Sequence, residues 1–340
     1  MRRLLATVLA SATLLISACG GGGGGGGEES FDDESVVIYS GRNKNLLGPL
    51  IDKMKTATGV NVQVRYGDSA ELAAQLLEEG DRTRADVFFS QDAGALGALA
   101  KEGRLTALPQ GSLDKVPAKY RAADGTWAGV SGRSRVIVYD PRVLPEQPKS
   151  VFELTDPKWS GKVGWAPTNA SFQAFVTALR VVQGEEKAKE WLTAMKNNGT
   201  KTYPNNVGIL NAVDEGQITM GLINHYYWYE KVAEKGAAAV PSKLAFLPGG
   251  DPGALVNVAG AGIVKTSKHA ANAQKVVDYL LGAEAQKYFA DETKEYPLVA
   301  GVAVDPGLPA LDSLKGPEID LARLDSLSKT LDLLKEVGLV

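Results

Sequence analysis

The chain has 340 residues, 23% of them charged, and a formal net charge of −3, so it lacks the basic excess that nucleic-acid partners favour. One cysteine and two histidines exclude a disulfide framework, a zinc cluster and a histidine-rich site, which leaves oxygen atoms to build any metal centre. Hydrophobic residues make up 44%, enough for a globular body, and the length favours two domains over one.

Residues 1–18 read as an export signal. Arg2 and Arg3 give a basic start, 4–16 an apolar stretch too short to span a bilayer, and Ser17 and Ala18 small residues before a cleavage point. The sequence Ile16-Ser17-Ala18-Cys19 resembles the lipobox of bacterial lipoproteins, which implies cleavage before Cys19 and a lipid on its sulfur. An ordinary secretory signal with an incidental thiol is the alternative. Residues 19–35 are then a tether, because glycine at 20–27 followed by Glu28, Glu29, Asp32, Asp33 and Glu34 buries no apolar area to offset chain entropy. A flexible segment of that length holds a body roughly 20–25 Å from a membrane. The expectation is an exported receptor, lipid-anchored to the outer face of the cell membrane or held in the periplasm.

From residue 36 strands and helices alternate. Residues 36–41 are a short buried strand ending in a turn, 46–58 a helix stopped by Gly59, and 60–66 a second strand. Ser69 is the expected cap of a helix over 70–79, with Leu72, Leu76 and Leu77 on one face. A strand over 85–92 with a polar end and a helix over 95–102 closing at Gly103 continue this doubly wound α/β pattern. Residues 127–140 are a long β-type run with no helix after it, which suits a hinge strand crossing between domains. Beyond it come strand 161–165, helices 171–182 and 185–196, the loop Pro204-Asn205-Asn206, helix 207–215 and an apolar strand, 218–223. A glycine-laced β run over 257–264 returns the chain to the first domain. Helices 270–281 and 283–290, the segment 295–299 and an amphipathic helix over 319–337 complete it. The lobes are accordingly 36–132 plus 257–305, and 133–256 plus 306–340.

Strand 218–223 runs into Asn224-His225-Tyr226-Tyr227-Trp228-Tyr229, ahead of a charged helical pattern over 230–236. The carboxyl end of a strand is where open α/β sheets keep their ligands. Two adjacent phenols become hard anionic donors once deprotonated, and with a free pKa of about 10 only a strongly polarising cation holds them as phenolates at neutral pH. Ferric iron is the candidate. On these residues alone, an aromatic patch in the core or one stacking on a sugar is the plainer reading.

The body resembles the ferric-ion-binding members of the periplasmic solute-binding proteins of ABC transporters, the bacterial transferrin-like family. The stretches that carry the resemblance are Val37-Ile38-Tyr39-Ser40-Gly41, Ala85-Asp86-Val87-Phe88-Phe89-Ser90, Ser131-Gly132-Arg133-Ser134-Arg135 and on to Asp140, Pro157-Lys158-Trp159, Asn224-His225-Tyr226-Tyr227-Trp228, Asp251-Pro252-Gly253-Ala254-Leu255 and Glu295-Tyr296-Pro297-Leu298. They are collinear over nearly all of 36–340. The resemblance implies an α/β fold of the two-lobed periplasmic-binding-protein type (type II), each lobe a mixed sheet flanked by helices and joined by hinge strands. It implies a binding protein rather than an enzyme, a monomer that works with an ABC permease and ATPase, and Tyr226 and Tyr227 as the two tyrosinates that ligate iron. It also implies a synergistic anion, carbonate or phosphate.

Charge agrees with that last point. A trivalent cation taken by two phenolates keeps one positive charge, so a dry cleft needs a further anion. Candidates to hold it are the amides of Asn206 and Asn224, the guanidinium of Arg133, and Asn169, Ala170 and Ser171 at the start of a helix. Two departures stand against the family pattern: Asn43, in Arg42-Asn43-Lys44, replaces a histidine ligand, and Gln91 replaces a glutamate. A third tyrosine found in one subgroup is matched by Phe172. Either exogenous anions and water fill the first-lobe places, or neighbouring Asp92 serves as a substitute ligand, or the ligand is not bare ferric iron. In the first case Arg42, Asn43 and Gln91 are donors to the anion or to metal-bound water. The rival binding reading is an organic cation, phosphonate or sugar in an aromatic box of Tyr226, Tyr227, Trp228 and Tyr229. An enzyme with His225 as general base lacks any nucleophile elbow, glycine-rich phosphate motif or metal-binding helix nearby.

Overall fold

The computed structural model describes residues 31–340; the export signal, Cys19 and residues 19–30 of the expected tether lie outside them. The last five residues of that tether are docked on the body. Ser35 is buried, Arg84 donates to the Asp33 carboxylate at 2.7 Å and to the Phe31 carbonyl at 3.1 Å, and the Asp32 amide donates to the Gln63 side chain at 2.7 Å.

Strand–helix pairs build the first part: β1 (Val36–Ser40) and α1 (Lys44–Thr58), β2 (Val62–Tyr66) and α2 (Ser69–Glu79), β3 (Val87–Ser90) and α3 (Ala93–Lys101). β1 pairs in parallel with both β2 and β3. In α1, Leu47, Leu50, Ile51 and Met54 recur at helical spacing and are buried, Asn43 caps the first turn, and Gly59 closes the last at φ 65°. The cap of α2 is Asp68, not Ser69 as the spacing predicts. Ser69 instead accepts the Gln91 amide at 2.9 Å, which ties α2 to the end of β3.

β4 (Leu105–Thr106) and the one-turn α4 (Gln110–Leu113) lead to β5 (Ala128–Tyr139), which is buried along its whole length. After it come β6 (Val163–Trp165), α5 (Ala170–Gln183), α6 (Glu185–Asn197), β7 (Lys201–Thr202), α7 (Asn206–Asp214), β8 (Met220–Asn224), α8 (Tyr226–Lys235) and β9 (Lys243–Ala245). β10 (Val256–Val264), α9 (Ala270–Leu280), α10 (Ala283–Asp291), β11 (Tyr296–Pro297) and α11 (Leu327–Val337) finish the chain. The sheet order is β2-β1-β3-β10-β5-β8-β6-β7, with β4 beside β10, and β9 and β11 beside β5. The first half of β5 pairs with β10 and β11, and its second half with β8 and β9.

One apolar core lies under β1, β3 and β10 with α1, α3 and α9; a second lies among β6, β8, α5, α6 and α11. The single amphipathic helix expected over 319–337 is instead a 3-10 turn at Leu321–Asp325 and then α11. The Asp320 side chain takes the Ala322 amide, and the turn lies so close to α3 that a Cβ on Gly94 would come within 2.7 Å of the Leu324 carbonyl oxygen. The tyrosines also move: α8 begins at Tyr226, so the pair sits in its first turn rather than ahead of a helix starting at 230.

Candidate functional site

β8 delivers the chain to α8, and the first turn of α8 presents the two phenols. Their ring centroids are 4.2 Å apart, tilted by 34°; Tyr226 is buried and Tyr227 half-buried. Burial drives the Tyr226 phenol well above its usual range, with Tyr227 adding to the rise and Arg133 and Arg42 opposing it. Without a cation the Tyr226 hydroxyl is therefore neutral, and a metal must displace its proton to bind.

Beneath the pair lies a polar layer centred on Arg135. Its Nη1 donates to Ser171 Oγ at 3.1 Å and to the side-chain oxygens of Asn206 and Asn224 at 3.4 Å each, and its Nη2 donates to the Leu222 carbonyl at 3.0 Å. The guanidinium also lies 5.9 Å from the ring centroids of Phe172 and Phe175. Burial pulls its pKa down to about 9, against the opposing pull of Tyr227 and Tyr226. Asn169 caps α5 by accepting from the Ser171 amide, and Asn206 donates to both Asn169 Oδ1 and Ser171 Oγ at 3.3 Å. Asn169, Ser171 and Asn206 thus form one hydrogen-bonded group, to which Arg135 joins Asn224, with Ala170 beside them at the start of α5.

A second group faces the phenols from the β1–α1 loop, β5 and β11. The buried Glu295 carboxylate accepts from Arg42 Nη2 at 2.7 Å, Ser131 Oγ at 3.0 Å and Thr293 Oγ1 at 3.1 Å, and its other oxygen lies 3.8 Å from Arg133 Nε. Burial acts to raise its pKa, but the two guanidiniums outweigh that and hold it below the usual range. Among the described residues, Nε of Arg42, Nε and Nη1 of Arg133 and Oε1 of Glu295 are buried without a hydrogen-bond partner. Buried donors left in that state are costly, so the three guanidinium N–H groups are suited to an incoming anion, whereas Glu295 Oε1 is an acceptor. Among the described residues no group of three or more His, Cys, Asp or Glu could hold a metal ion.

Residues 83–323 match the family described as bacterial extracellular solute-binding protein. The chain belongs to that family. This solute-binding protein is 35% identical over 310 residues to the Fe(3+)-binding periplasmic protein of Serratia marcescens, covering 90% of this chain and 91% of the relative. It is 35% identical over 308 residues to the major ferric iron-binding protein of Neisseria meningitidis, covering 89% and 93%. Iron-bound HitA from Pseudomonas aeruginosa superposes with a TM-score of 0.84 at 37% identity, over 89% of this chain and 99% of that one. The fold is the two-lobed periplasmic-binding-protein fold.

Some sequence candidates in this solute-binding protein have other employment. Asn43 is exposed and caps α1, accepting the Asn45 amide at 2.8 Å. Asp92 is buried as the cap of α3, accepting the Ala95 amide at 3.1 Å, and burial raises its pKa. Gln91 is half-buried. Three members were missed: Ser131 and Arg135, which share a face of β5 with Arg133 by the two-residue period of a strand, and Glu295. The alternation in Ser131-Gly132-Arg133-Ser134-Arg135 could have revealed the first two; nothing local marks Glu295, which reaches Arg42 across 253 positions.

Proposed function

We propose that this protein is the substrate-binding component of an iron(III) ABC importer. It captures ferric iron between lobes 36–132 plus 257–305 and 133–256 plus 306–340, using the phenolates of Tyr226 and Tyr227. Carbonate or phosphate fills the remaining coordination positions, held by Arg133 and Arg42 on one side and by the Arg135, Ser171, Asn206 and Asn224 group on the other. Asn43, Gln91 and Asp92 are then not iron ligands. The protein works as an exported, lipid-anchored monomer that hands iron to a permease and ATPase, and it turns over no substrate.

The observation that carries this reading is the close, tilted pair of phenols near buried guanidinium N–H groups that have no hydrogen-bond partner. Arg42, Arg133 and Arg135 around the pair disfavour an organic cation, which they would repel. The test is ferric salt added with phosphate or carbonate to the purified protein, read by the visible band of tyrosinate-to-iron charge transfer. Tyr226→Phe and Tyr227→Phe should each fold, lose that band in part, and weaken iron retention by at least about 100-fold, or about 3 kcal/mol. Unchanged affinity in both variants would overturn the proposal.

A further inference from the structure

The imidazole of His225 is fully buried and bonded to two separate parts of the chain. Its Nδ1 accepts the Ser134 amide at 3.1 Å and its Nε2 faces the Lys294 carbonyl at 3.0 Å. A neutral ring with its proton on Nε2 satisfies both. His225 stands at the N-cap position of α8, yet its side chain caps nothing and its backbone is helical. The ring is committed to links elsewhere.

Those links join the two halves of the site. Ser134 sits where β5 changes partners: it faces Val256 of β10, while the next residue, Arg135, faces Asn224 of β8. Lys294 is the sole non-glycine with positive φ among the described residues, at 54°, a conformation that its surroundings must hold in place. The following residue is Glu295, which fixes Arg42 and lies against Arg133. The ring is also wedged between Tyr296, at 4.8 Å between centroids, and Tyr226, at 5.9 Å and perpendicular.

We propose that His225 is a positioning residue that sets the tyrosine pair in register with the Arg42–Glu295–Arg133 cluster, so that one metal–anion pair meets both. It acts through Ser134 and Lys294 without touching the cargo. The inference rests on the ferric reading above.

The test uses the whole protein with His225→Phe, which keeps ring volume but loses both bonds, and His225→Gln, which restores a donor and an acceptor. In the Phe variant the phosphate concentration for half-maximal band intensity should rise about tenfold or more, as when orienting partners of metal ligands are removed. The band maximum should shift as well, and Gln should recover most of both effects. If Phe does not fold, His225→Asn decides: its shorter amide keeps the Ser134 bond and loses the Lys294 bond, so its phosphate requirement should exceed those of wild type and of His225→Gln, and a requirement equal to wild type would overturn the inference. Variants that melt lower but keep the wild-type band and phosphate requirement would overturn the inference alone. A wild-type protein that never develops the band would overturn the ferric reading, and this inference with it.

Discussion

Glu295→Gln removes one charge and almost no volume from the centre of the cluster. In the native protein this carboxylate answers Arg42 at 2.7 Å and Arg133 at 3.8 Å, and all three side chains are buried. Removing one partner of a buried pair costs about 3–5 kcal/mol, because the other charge stays buried without compensation. Unfolding entropy is about 2.1 cal/mol/K per residue, so about 4 kcal/mol over a body the size of Phe31–Val340 lowers the melting midpoint by roughly 6 °C. The same uncompensated guanidiniums should welcome an anion. Phosphate at 100 times its dissociation constant contributes about 2.7 kcal/mol to a state that binds it, which would restore roughly 4 °C. The assay is calorimetry of the iron-free variant and wild type, with and without phosphate, at ionic strength matched with chloride. Equal midpoints without phosphate, or equal phosphate gains in the two proteins, would refute the charge argument.

Two further predictions separate carboxylates that look alike in sequence. Asp92→Asn keeps a side-chain oxygen for the α3 cap, so neither stability nor iron retention should change, whereas Asp92→Ala should cost about 1 kcal/mol of stability and leave iron retention intact. A tenfold loss of iron affinity in Asp92→Asn would return Asp92 to the ligand set. Glu230 is raised to about 7 by burial, with Glu295 adding and Arg42 and Lys294 opposing. Its ionisation is disfavoured in the fold, so its contribution is intact below the ordinary carboxylate range and is lost as pH rises through about 7. Glu230→Gln should therefore raise the melting midpoint at pH 8 and leave it unchanged at pH 4; equal shifts at both pH values would contradict this.

The sequence revealed what depends on near neighbours. Periodicity marked α1, because Leu47, Leu50, Ile51 and Met54 lie on one face, and it marked the long buried β5. Boundaries set by competing caps were less legible: Asp68 and Ser69 are both good caps, and only the contact of Ser69 with the Gln91 amide decides between them. The helix expected over 319–337 failed partly for a local reason, the Asp320 side chain taking the Ala322 amide two residues on, and partly for a tertiary one, the close approach of Leu324 to Gly94. The tyrosine pair stood out as a local cluster. The roles of Glu295 and His225 were not legible, because they depend on residues far away in the chain: Glu295 on Arg42, and His225 on Ser134 and Lys294.

The site proposed for a trivalent cation has Arg42, Arg133 and Arg135 near its phenols, and that apparent contradiction bears on which ions the proposed site would accept. While the Tyr226 phenol is neutral, Glu295 offsets part of the positive charge and the unpartnered N–H groups of Arg133 favour an anion. If the phenols are the ligands as proposed, a cation alone would meet repulsion, and only one that takes both as phenolates would gain enough to enter. A Tyr226 phenolate, once formed, would be stabilised by Arg133 and Arg42, which favour its charged form. An anion placed between metal and arginines then removes the remaining repulsion. On the proposed reading each would therefore raise the affinity for the other by the same factor, and a strongly polarising metal would enter with its anion more readily than either component by itself.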